Sequence, residues 1–378
     1  MDLKNTEIAY AYKTKKELKS ALFVYRIITK PFLVKLGKIF LNIALFLRIP
    51  IKPFTNFMFK QFCGGESIEN ILEISKPVLK YKVKVIPDYS IEGASKDENF
   101  KILIREVKKV IDISAKDKNI PFAVFKPTGL INPSYLKQEI PADHPELIAY
   151  KERMKEIFDY AQSKNVKVLV DAEDYWYQDR IDEILLDFMK IYNRNNVLVF
   201  TTFQMYRHDR LDYLKFITEM AIREGFKIGI KYVRGAYLEK ERKRAVDGGY
   251  PDPINPTKEK TDKDFDDAIT YSVENINTIE VFCGTHNEES VVHLVNLMEK
   301  HGLEKNDSRI WFSQLYGMRD NLSFNLADNS YNVAKYLPYG PIKEVMPYLV
   351  RRAEENSSMG SQAGEEITML KQALKQRK

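Results

Sequence analysis

From about residue 80 onward, short apolar and β-branched runs alternate eight times with longer amphipathic stretches. This alternation predicts strands joined by helices, and therefore a parallel sheet. Eight such units in roughly 280 residues match the number and size of a (β/α)8 barrel. The predicted strands are Lys82–Ile86, Phe122–Phe125, Val166–Val170, Val197–Thr202, Lys227–Val233, Thr278–Phe282, Arg309–Ser313 and Asn332–Tyr336.

A doubly wound sheet is the competing α/β arrangement. No Gly-x-Gly-x-x-Gly segment and no phosphate-binding loop follows any predicted strand, which argues against the usual nucleotide-binding versions of that fold. We therefore predict a TIM-type barrel over residues 76–378, preceded by an N-terminal helical arm over residues 1–75. The helices predicted from the amphipathic stretches are Ala149–Lys164, Ile181–Tyr192, Leu211–Glu224, Glu288–Lys300 and Pro341–Glu355.

The N-terminal arm is basic and rich in aromatic residues, as in Phe32–Leu41 and Pro53–Phe62. Such a segment is suited to the surface of an anionic membrane, but packing against the main domain is the interpretation that the pattern favours. Its apolar run Ile39–Leu47 is much shorter than the ~20 residues of a spanning helix, so no transmembrane helix is predicted. With no signal peptide or presequence pattern, we expect a cytoplasmic protein, with the arm a candidate for peripheral contact at the inner face of the cytoplasmic membrane.

The composition excludes several classes of function. A net charge of +6 over 378 residues, with lysines spread along the chain, does not indicate nucleic-acid binding. Cys63 and Cys283 are far apart, and the five histidines lack the spacing of metal ligands. A disulfide scaffold or a metal site is therefore not predicted, and a reducing compartment fits.

Each predicted strand has a polar or ionisable residue where the strand becomes a loop, and a barrel carries its chemistry at these carboxyl ends. Lys126 follows the second strand and has three interpretations. It is a Schiff-base nucleophile, a clamp for a carboxylate or phosphate, or the partner of Asp171 in an ordinary ion pair.

Tyr348, Arg351, Arg352 and Glu355 are related as i, i+3, i+4 and i+7, which places them on one face of a helix. Two adjacent guanidinium groups are suited to holding a small carboxylate. A solvated helix face with an Arg351–Glu355 pair is the alternative.

Aromatic and polar groups at the strand ends leave further alternatives open. Tyr237, Tyr336 and Tyr348 offer flat walls for a small ring or an isoalloxazine, or they pack as ordinary tyrosines. His286 is more typical of a hydrogen-bonding group than of a base, and its neighbours Thr285 and Asn287 favour a role in holding a ligand.

Several of these segments together resemble proline dehydrogenase, from about residue 80 to the end of the chain. They are Tyr232–Arg242, Gly249–Thr257, Thr285–Asn287, Gln314–Met318 and Tyr348–Arg352. The resemblance is to the single-function, mitochondrial-type branch of this FAD-dependent (β/α)8-barrel family. It implies oxidation of L-proline to Δ1-pyrroline-5-carboxylate by hydride transfer from C5 of proline to N5 of the flavin. Electrons would pass to a quinone, in the first step of proline catabolism.

The resemblance also implies roles for individual residues. Arg351, Arg352 and Lys126 would hold the proline carboxylate, and Glu92 would pair with the two arginines. Tyr237, Tyr336 and Tyr348 would enclose the pyrrolidine ring, and a tyrosine at 336 favours proline over hydroxyproline. The residues implied at the reacting centre are Asp171, Lys231, Lys126 and Tyr237. The implied FAD contacts are Ala172, Gln204, Lys231, Arg234, Gly235, Ala236, Thr285, His286, Gln314 and Glu355.

Two other classes of function compete with this interpretation. One is a lyase or aldolase barrel in which Lys126 forms a Schiff base and the arginines bind phosphate. The other is a non-catalytic scaffold or membrane adaptor built on the helical arm. The presence of bound flavin would distinguish the proline dehydrogenase interpretation from both of these alternatives.

Overall fold

Eight parallel strands alternate with helices in the computed structural model, which describes residues 1–46, 52–90, 97–137, 139–358 and 360–377. The strand order β1-β8-β7-β6-β5-β4-β3-β2 is that of a (β/α)8 barrel, which confirms the predicted fold. Each strand overlaps the run that predicted it. The strands are β1 (Lys84–Tyr89), β2 (Phe122–Phe125), β3 (Lys167–Val170), β4 (Val199–Gln204), β5 (Ile228–Val233), β6 (Ile279–Gly284), β7 (Ile310–Leu315) and β8 (Val333–Tyr339).

The helices precede, connect and follow these strands. All five helices predicted from the sequence are present, as α7, α8, α9, α12 and α14. The helices before β2 are α1 (Thr6–Ala9), α2 (Lys15–Ile28), α3 (Pro31–Phe46), α4 (Lys52–Phe62), α5 (Ile68–Leu79) and α6 (Asp97–Lys116). The later helices are α7 (Pro145–Lys164), α8 (Tyr175–Tyr192), α9 (Arg210–Glu224), α10 (Leu238–Gly248), α11 (Lys258–Glu274), α12 (Glu288–Lys300), α13 (Asp320–Asp328), α14 (Ile342–Ser358) and α15 (Gly360–Gln376).

One compact unit spans Ile91–Ser313 and contains β2 to β6 with the start of β7. Its strands are buried along their length because helices cover the outer face and side chains fill the interior. Phe122 makes edge-on contacts with Phe200, Phe282 and Trp311, with ring centroids 5.2–5.6 Å apart. The continuous apolar runs that predicted these strands are therefore the core of this unit.

The other compact unit comprises Met1–Ser90 and Gln314–Lys378. Here β1 pairs with β8 in register from Lys84↔Ala334 to Tyr89↔Tyr339. The N-terminal helices α2 and α4 pack against α14, and α2 also packs against α15. The predicted boundary at residues 75 and 76 falls inside α5. Within the described part of the chain, no helix has the length and apolarity needed to cross a bilayer.

Candidate active site

One aspartate between two lysines lies at the carboxyl ends of three strands. Lys126 directly follows β2, Asp171 directly follows β3, and Lys231 lies in the second half of β5. Nζ of Lys126 is 2.8 Å from Oδ2 of Asp171, and Nζ of Lys231 is 2.5 Å from Oδ1. All three residues are buried. The aspartate thus holds two ammonium groups side by side at the end of the barrel where the sequence predicts the chemistry.

The charges around Asp171 determine its protonation. Burial by itself raises the pKa of this carboxyl, but the ammonium groups of Lys126 and Lys231 outweigh burial and hold the pKa well below its usual range. Asp171 is therefore ionised at neutral pH. Of the three interpretations of Lys126, the ion pair with Asp171 is present in the structure.

A second buried network follows β3 and surrounds Glu173. Its carboxylate accepts hydrogen bonds from the backbone N–H of Thr128 at 3.2 Å and from the Thr128 hydroxyl at 2.5 Å. The Gln204 amide donates to the Glu173 carbonyl oxygen at 2.7 Å. Oε1 of Gln204 is buried and has no hydrogen-bond partner among the described residues. Buried acceptors are normally paired, so a donor from a bound ligand could satisfy this atom.

Arg234, directly after β5, is held by three neighbours. Nε donates to Asp262 at 2.6 Å, Nη1 to Thr285 at 2.7 Å and Nη2 to Ser290 at 3.0 Å, and the guanidinium group lies 4.6 Å from the Phe265 ring centroid. Each terminal nitrogen carries a second N–H beyond these bonds. Arg234 is thus fixed in orientation and still has donors for a ligand.

Gly235 occupies a conformation that other residues rarely adopt, with φ +135°. A Cβ atom here would lie 2.1 Å from the Tyr206 ring, so a side chain would require the ring to move. The backbone beyond it, at Ala236, is exposed, and Tyr237 is half-buried at the start of α10. The segment after β5 therefore presents backbone groups rather than side chains at this point.

His286 is half-buried in the loop after β6, between two residues with structural roles. The Thr285 hydroxyl accepts from the Asn287 backbone N–H at 3.1 Å and also from Arg234. The Asn287 side chain accepts from the N–H groups of Glu289 and Ser290 and so caps α12. The Asn287 side-chain oxygen therefore has a structural role at the start of this helix, directly after His286.

The arginine helix in the other unit is α14. Arg352 is 8% exposed, forms an ion pair with Glu355, and lies with its guanidinium carbon 5.3 Å from the Tyr348 ring centroid. These contacts place the three side chains on one helix face, as predicted. Nε of Arg352 and the Tyr348 hydroxyl are buried without hydrogen-bond partners among the described residues. Arg351, one position earlier, is half-buried.

The remaining predicted site residues differ in how firmly they are held. Tyr336 is a buried residue of β8. Oε1 of Gln314, at the end of β7, accepts from the Ser323 hydroxyl at 2.7 Å. Ala172 is half-buried beside Asp171. Glu92 lies outside the described residues.

The family model that describes proline dehydrogenase matches residues 72–365. The chain belongs to the proline dehydrogenase family. Membership supports proline dehydrogenase activity, an oxidoreductase reaction that begins proline catabolism, and flavoprotein character follows from the family.

Relatives within and around the family cover most of this chain. The carbapenem antibiotics biosynthesis protein CarD of Pectobacterium carotovorum subsp. carotovorum is 33% identical over 84% of this chain and 83% of its own length. Proline dehydrogenase 1, mitochondrial, of Dictyostelium discoideum is 30% identical over 100% of this chain and 75% of its own length.

A solved relative supports the fold. Proline utilization A from Bdellovibrio bacteriovorus, inactivated by N-propargylglycine, is 26% identical with a TM-score of 0.74, over 82% of this chain. The match covers 34% of the solved chain, so the present chain corresponds to about a third of that protein.

A buried cluster around Asp320 was not predicted from the sequence of this proline dehydrogenase family member. Lys335, in the middle of β8, has Nζ 2.9 Å from Oδ1 of Asp320, the first residue of α13. Tyr12 donates to Asp320 at 2.8 Å, and Nζ of Lys13 lies 3.7 Å away. Nothing in the local pattern marks Lys335, because a lysine inside an apolar strand resembles a solvent-facing residue until the helix that covers it is known.

Proposed function

We propose that this chain oxidises L-proline to Δ1-pyrroline-5-carboxylate with bound FAD as the acceptor, and that a quinone reoxidises the flavin. The observation that carries the proposal is the Lys126–Asp171–Lys231 cluster at the strand ends of a barrel of the proline dehydrogenase family. Cationic groups fixed at this end of a barrel are suited to an anionic substrate and to a cofactor that gains negative charge.

The residues after β4 and β5 fit a flavin. Oε1 of Gln204 is a buried acceptor in need of a donor, and the backbone at Gly235 carries no side chain because a Cβ atom there would meet the Tyr206 ring. When bound, FAD supplies the hydride acceptor, N5 of its ring system. The residues proposed to hold FAD are Ala172, Gln204, Lys231, Arg234, Gly235, Ala236, Thr285, His286, Gln314 and Glu355.

The substrate carboxylate is proposed to bind Arg351, Arg352 and Lys126. Nε of Arg352 is buried without a partner among the described residues, which supports its assignment to an anionic ligand. A guanidinium group holds a carboxylate through two parallel hydrogen bonds, which restricts how the attached ring is oriented. Tyr237, Tyr336 and Tyr348 are proposed to enclose the pyrrolidine ring, and Glu92 to pair with the arginines.

Asp171 is proposed to orient the two lysines. It is ionised at neutral pH and holds both ammonium groups, so neither lysine has to reorganise when a ligand arrives. Lys231 then places a fixed positive charge for the flavin, and Lys126 places one for the substrate. Preorganised charges of this kind lower the activation barrier of the reaction, because folding has already oriented them and no reorganisation is needed during the reaction.

Flavin absorbance tests the proposal directly. Purified protein, or protein reconstituted with FAD, should show the oxidised flavin spectrum, and addition of L-proline without an electron acceptor should bleach it. Addition of a quinone should restore it. Protein that takes up no FAD, or FAD-loaded protein whose spectrum is unchanged by proline, would refute the proposal. Borohydride trapping of a carbonyl substrate on Lys126 in flavin-free protein would favour the lyase interpretation.

We further propose that the N-terminal arm binds the surface of an anionic membrane, where a quinone is available. No acidic residue lies between Glu17 and Glu66, whereas eight lysines and arginines do. On α3 the exposed large apolar residues are spaced as one helix stripe, and lysines follow on the adjacent face. The residues of that stripe are Phe32, Leu33, Leu36, Ile39 and Phe40.

This combination of a basic surface and exposed apolar side chains is typical of helices that lie in a membrane interface. Flotation with phosphatidylglycerol-containing liposomes tests it. The triple variant Phe32→Ser, Leu36→Ser, Phe40→Ser should lose most flotation. Phe216→Ser with Ile222→Ser is the control, because these residues are as exposed on α9. Equal flotation of both variants would refute the membrane proposal and leave the proposed reaction untouched.

A further inference from the structure

Glu241 is a fully buried acid on a helix whose other charged residues are exposed or half-buried. It lies in the first turn of α10, and its exposed fraction is 0%. Its helix neighbours Glu239, Lys240 and Lys243 are exposed, as expected of a helix rich in charged residues. Burial of a single carboxylate on such a helix requires specific partners, because an unpaired buried charge is strongly unfavourable.

The partners of Glu241 come from two other strand-end segments. Oε1 accepts from the backbone N–H of Tyr175, the first residue of α8, at 2.7 Å. Oε2 accepts from the Tyr206 hydroxyl, in the segment after β4, at 2.7 Å. One carboxylate therefore joins the segments that follow β3, β4 and β5.

Neighbouring contacts reinforce the same junction. Nζ of Lys240 is 2.8 Å from Asp174, and the Arg244 guanidinium lies 3.8 Å from the Trp176 ring centroid. The hydroxyl of Tyr206 donates to Glu241, and the ring of the same tyrosine packs against Gly235. The backbone N–H of Tyr206 donates to the carbonyl oxygen of Arg234 at 2.8 Å. Glu241 is thus connected through Tyr206 to the Arg234–Gly235 backbone.

Opposing effects act on the pKa of Glu241. Burial raises its pKa to about 7, while the hydrogen bonds from Tyr206 and Tyr175 oppose this rise. Among the charged groups facing it, Asp174 raises the pKa and Arg207 lowers it. Lys240 on the same helix is paired with Asp174.

We propose that Glu241 is a positioning residue that fastens α10 to the segments after β3 and β4, so that Arg234 and Gly235 are held ready for the flavin. It touches neither the substrate nor the cofactor. This inference rests on the proposed function only in naming FAD as the ligand. The attachment of α10 to these two segments, called closure below, is a property of the protein without any ligand.

The sign of the pH dependence follows from the two states of the helix. When α10 opens, Glu241 is exposed and regains an ordinary pKa of about 4.3. The closed state therefore binds a proton more tightly, and closure weakens as the pH rises from about 4.3 toward 7. Above that range both states are ionised and closure no longer changes with pH.

Hydrogen–deuterium exchange of the flavin-free full chain tests the fastening. Glu241→Ala leaves the Tyr175 N–H and the Tyr206 hydroxyl without their acceptor, so protection of the α10 amides should fall about tenfold or more. Glu241→Gln retains an acceptor for Tyr175 and a donor for Tyr206, so it should preserve protection and abolish the decline in protection between pH 5 and 7. Glu239→Ala, an exposed acid on the same helix, should match the wild type.

FAD affinity provides the second measurement, by quenching of flavin fluorescence on binding. Glu241→Ala should weaken FAD binding about tenfold or more, Glu241→Gln should restore it, and Tyr206→Phe should weaken it less because one of two bonds is lost. Tyr206→Phe also serves if Glu241→Ala does not fold. Wild-type protection at α10 equal to that of Glu241→Ala or Tyr206→Phe would overturn the inference. Absence of FAD binding in the wild type would instead refute the proposed function, with the exchange measurement unaffected.

Discussion

Two clusters in this protein each place one aspartate between two lysines, but in different surroundings. In one compact unit, Asp171 contacts Lys126 and Lys231 at the ends of β2, β3 and β5. In the other, Asp320 contacts Lys335 in the middle of β8 at 2.9 Å and Lys13 of the N-terminal segment at 3.7 Å. In both, the lysines outweigh burial and lower the pKa of the aspartate.

The difference lies in where each cluster stands in the fold. Lys335 also donates to the carbonyl oxygen of Met318 at 2.5 Å, and Asp320 accepts from the Tyr12 hydroxyl at 2.8 Å. That cluster joins β8, α13 and the N-terminal segment, which is a structural role. The Asp171 cluster instead lies at strand ends, where a barrel carries its chemistry. Residue types alone do not distinguish the two clusters, whereas their positions along the strands do.

The largest expected effect is on folding. Lys335→Met leaves Asp320 buried with fewer partners, so the free energy of unfolding should fall by about 3–5 kcal/mol. Urea denaturation followed by circular dichroism measures it. Lys343→Met, at an exposed position of α14, should change stability by less than about 0.5 kcal/mol. A loss below 1 kcal/mol for Lys335→Met would contradict the structural role of this cluster.

The next effect concerns a cation proposed to bind substrate. Arg352→Met keeps an apolar chain beside Tyr348 but removes the guanidinium group. The activation free energy derived from kcat/KM for proline should therefore rise by about 2–5 kcal/mol. Steady-state kinetics with a quinone acceptor measure it, and Arg351→Met should behave alike. Activity near the wild-type value in either variant would show that the carboxylate binds elsewhere.

Asp171→Asn tests the cluster that is proposed to act at the reacting centre. Without the carboxylate, Lys126 and Lys231 lose their common anchor, and displacement of groups near the reacting atoms by about 1 Å costs roughly 100-fold in rate. We expect kcat/KM to fall by about that factor, with a smaller loss of folding free energy than in Lys335→Met. Asp187→Asn, an exposed position on α8, is the matched control. If Asp171→Asn lost as much folding free energy as Lys335→Met and kept its activity, the Asp171 cluster would be the structural one.

The smallest effect is the response of the structural cluster to acid. Because folding lowers the pKa of Asp320, its contribution to stability is complete above about pH 4, the unfolded value, and declines as the pH falls through the folded value. In Lys335→Met the main group that opposes burial is lost, so the pKa of Asp320 rises and protonation relieves the variant before it affects the wild type. The stability difference between wild type and Lys335→Met should therefore narrow as the pH falls from 7 to below 4. Urea titrations at several pH values measure it, and a difference that stays constant over this range would point to a different group.

Much of the fold could be predicted because each strand is a continuous apolar run between amphipathic stretches. The predicted run at Phe122–Phe125 coincides with β2, and the other strands differ mainly at their ends. β8 continues to Tyr339, beyond the predicted end at Tyr336, because pairing with β1 extends it. Local apolarity locates a strand, whereas the neighbouring strand determines where it stops.

The candidate site could be predicted less completely. Lys126 was found because it stands where a predicted strand ends, whereas the roles of Asp171 and Lys231 came from the resemblance to the family. Glu241 was not singled out, since it lies in a run of charged residues that reads as a solvated helix. Its burial depends on Tyr175 and Tyr206, which are distant in sequence.

The sequence by itself determined the eight-unit barrel, the family, and the strand-end positions of the lysines and the aspartate, because periodicity and motifs are local properties of the chain. Only the tertiary structure decided which charges meet. It paired Lys126 and Lys231 through Asp171, joined three strand-end segments through Glu241, and buried Lys335 against Asp320. Such pairings depend on contacts between residues far apart in the chain, and burial then sets how strongly each pair interacts.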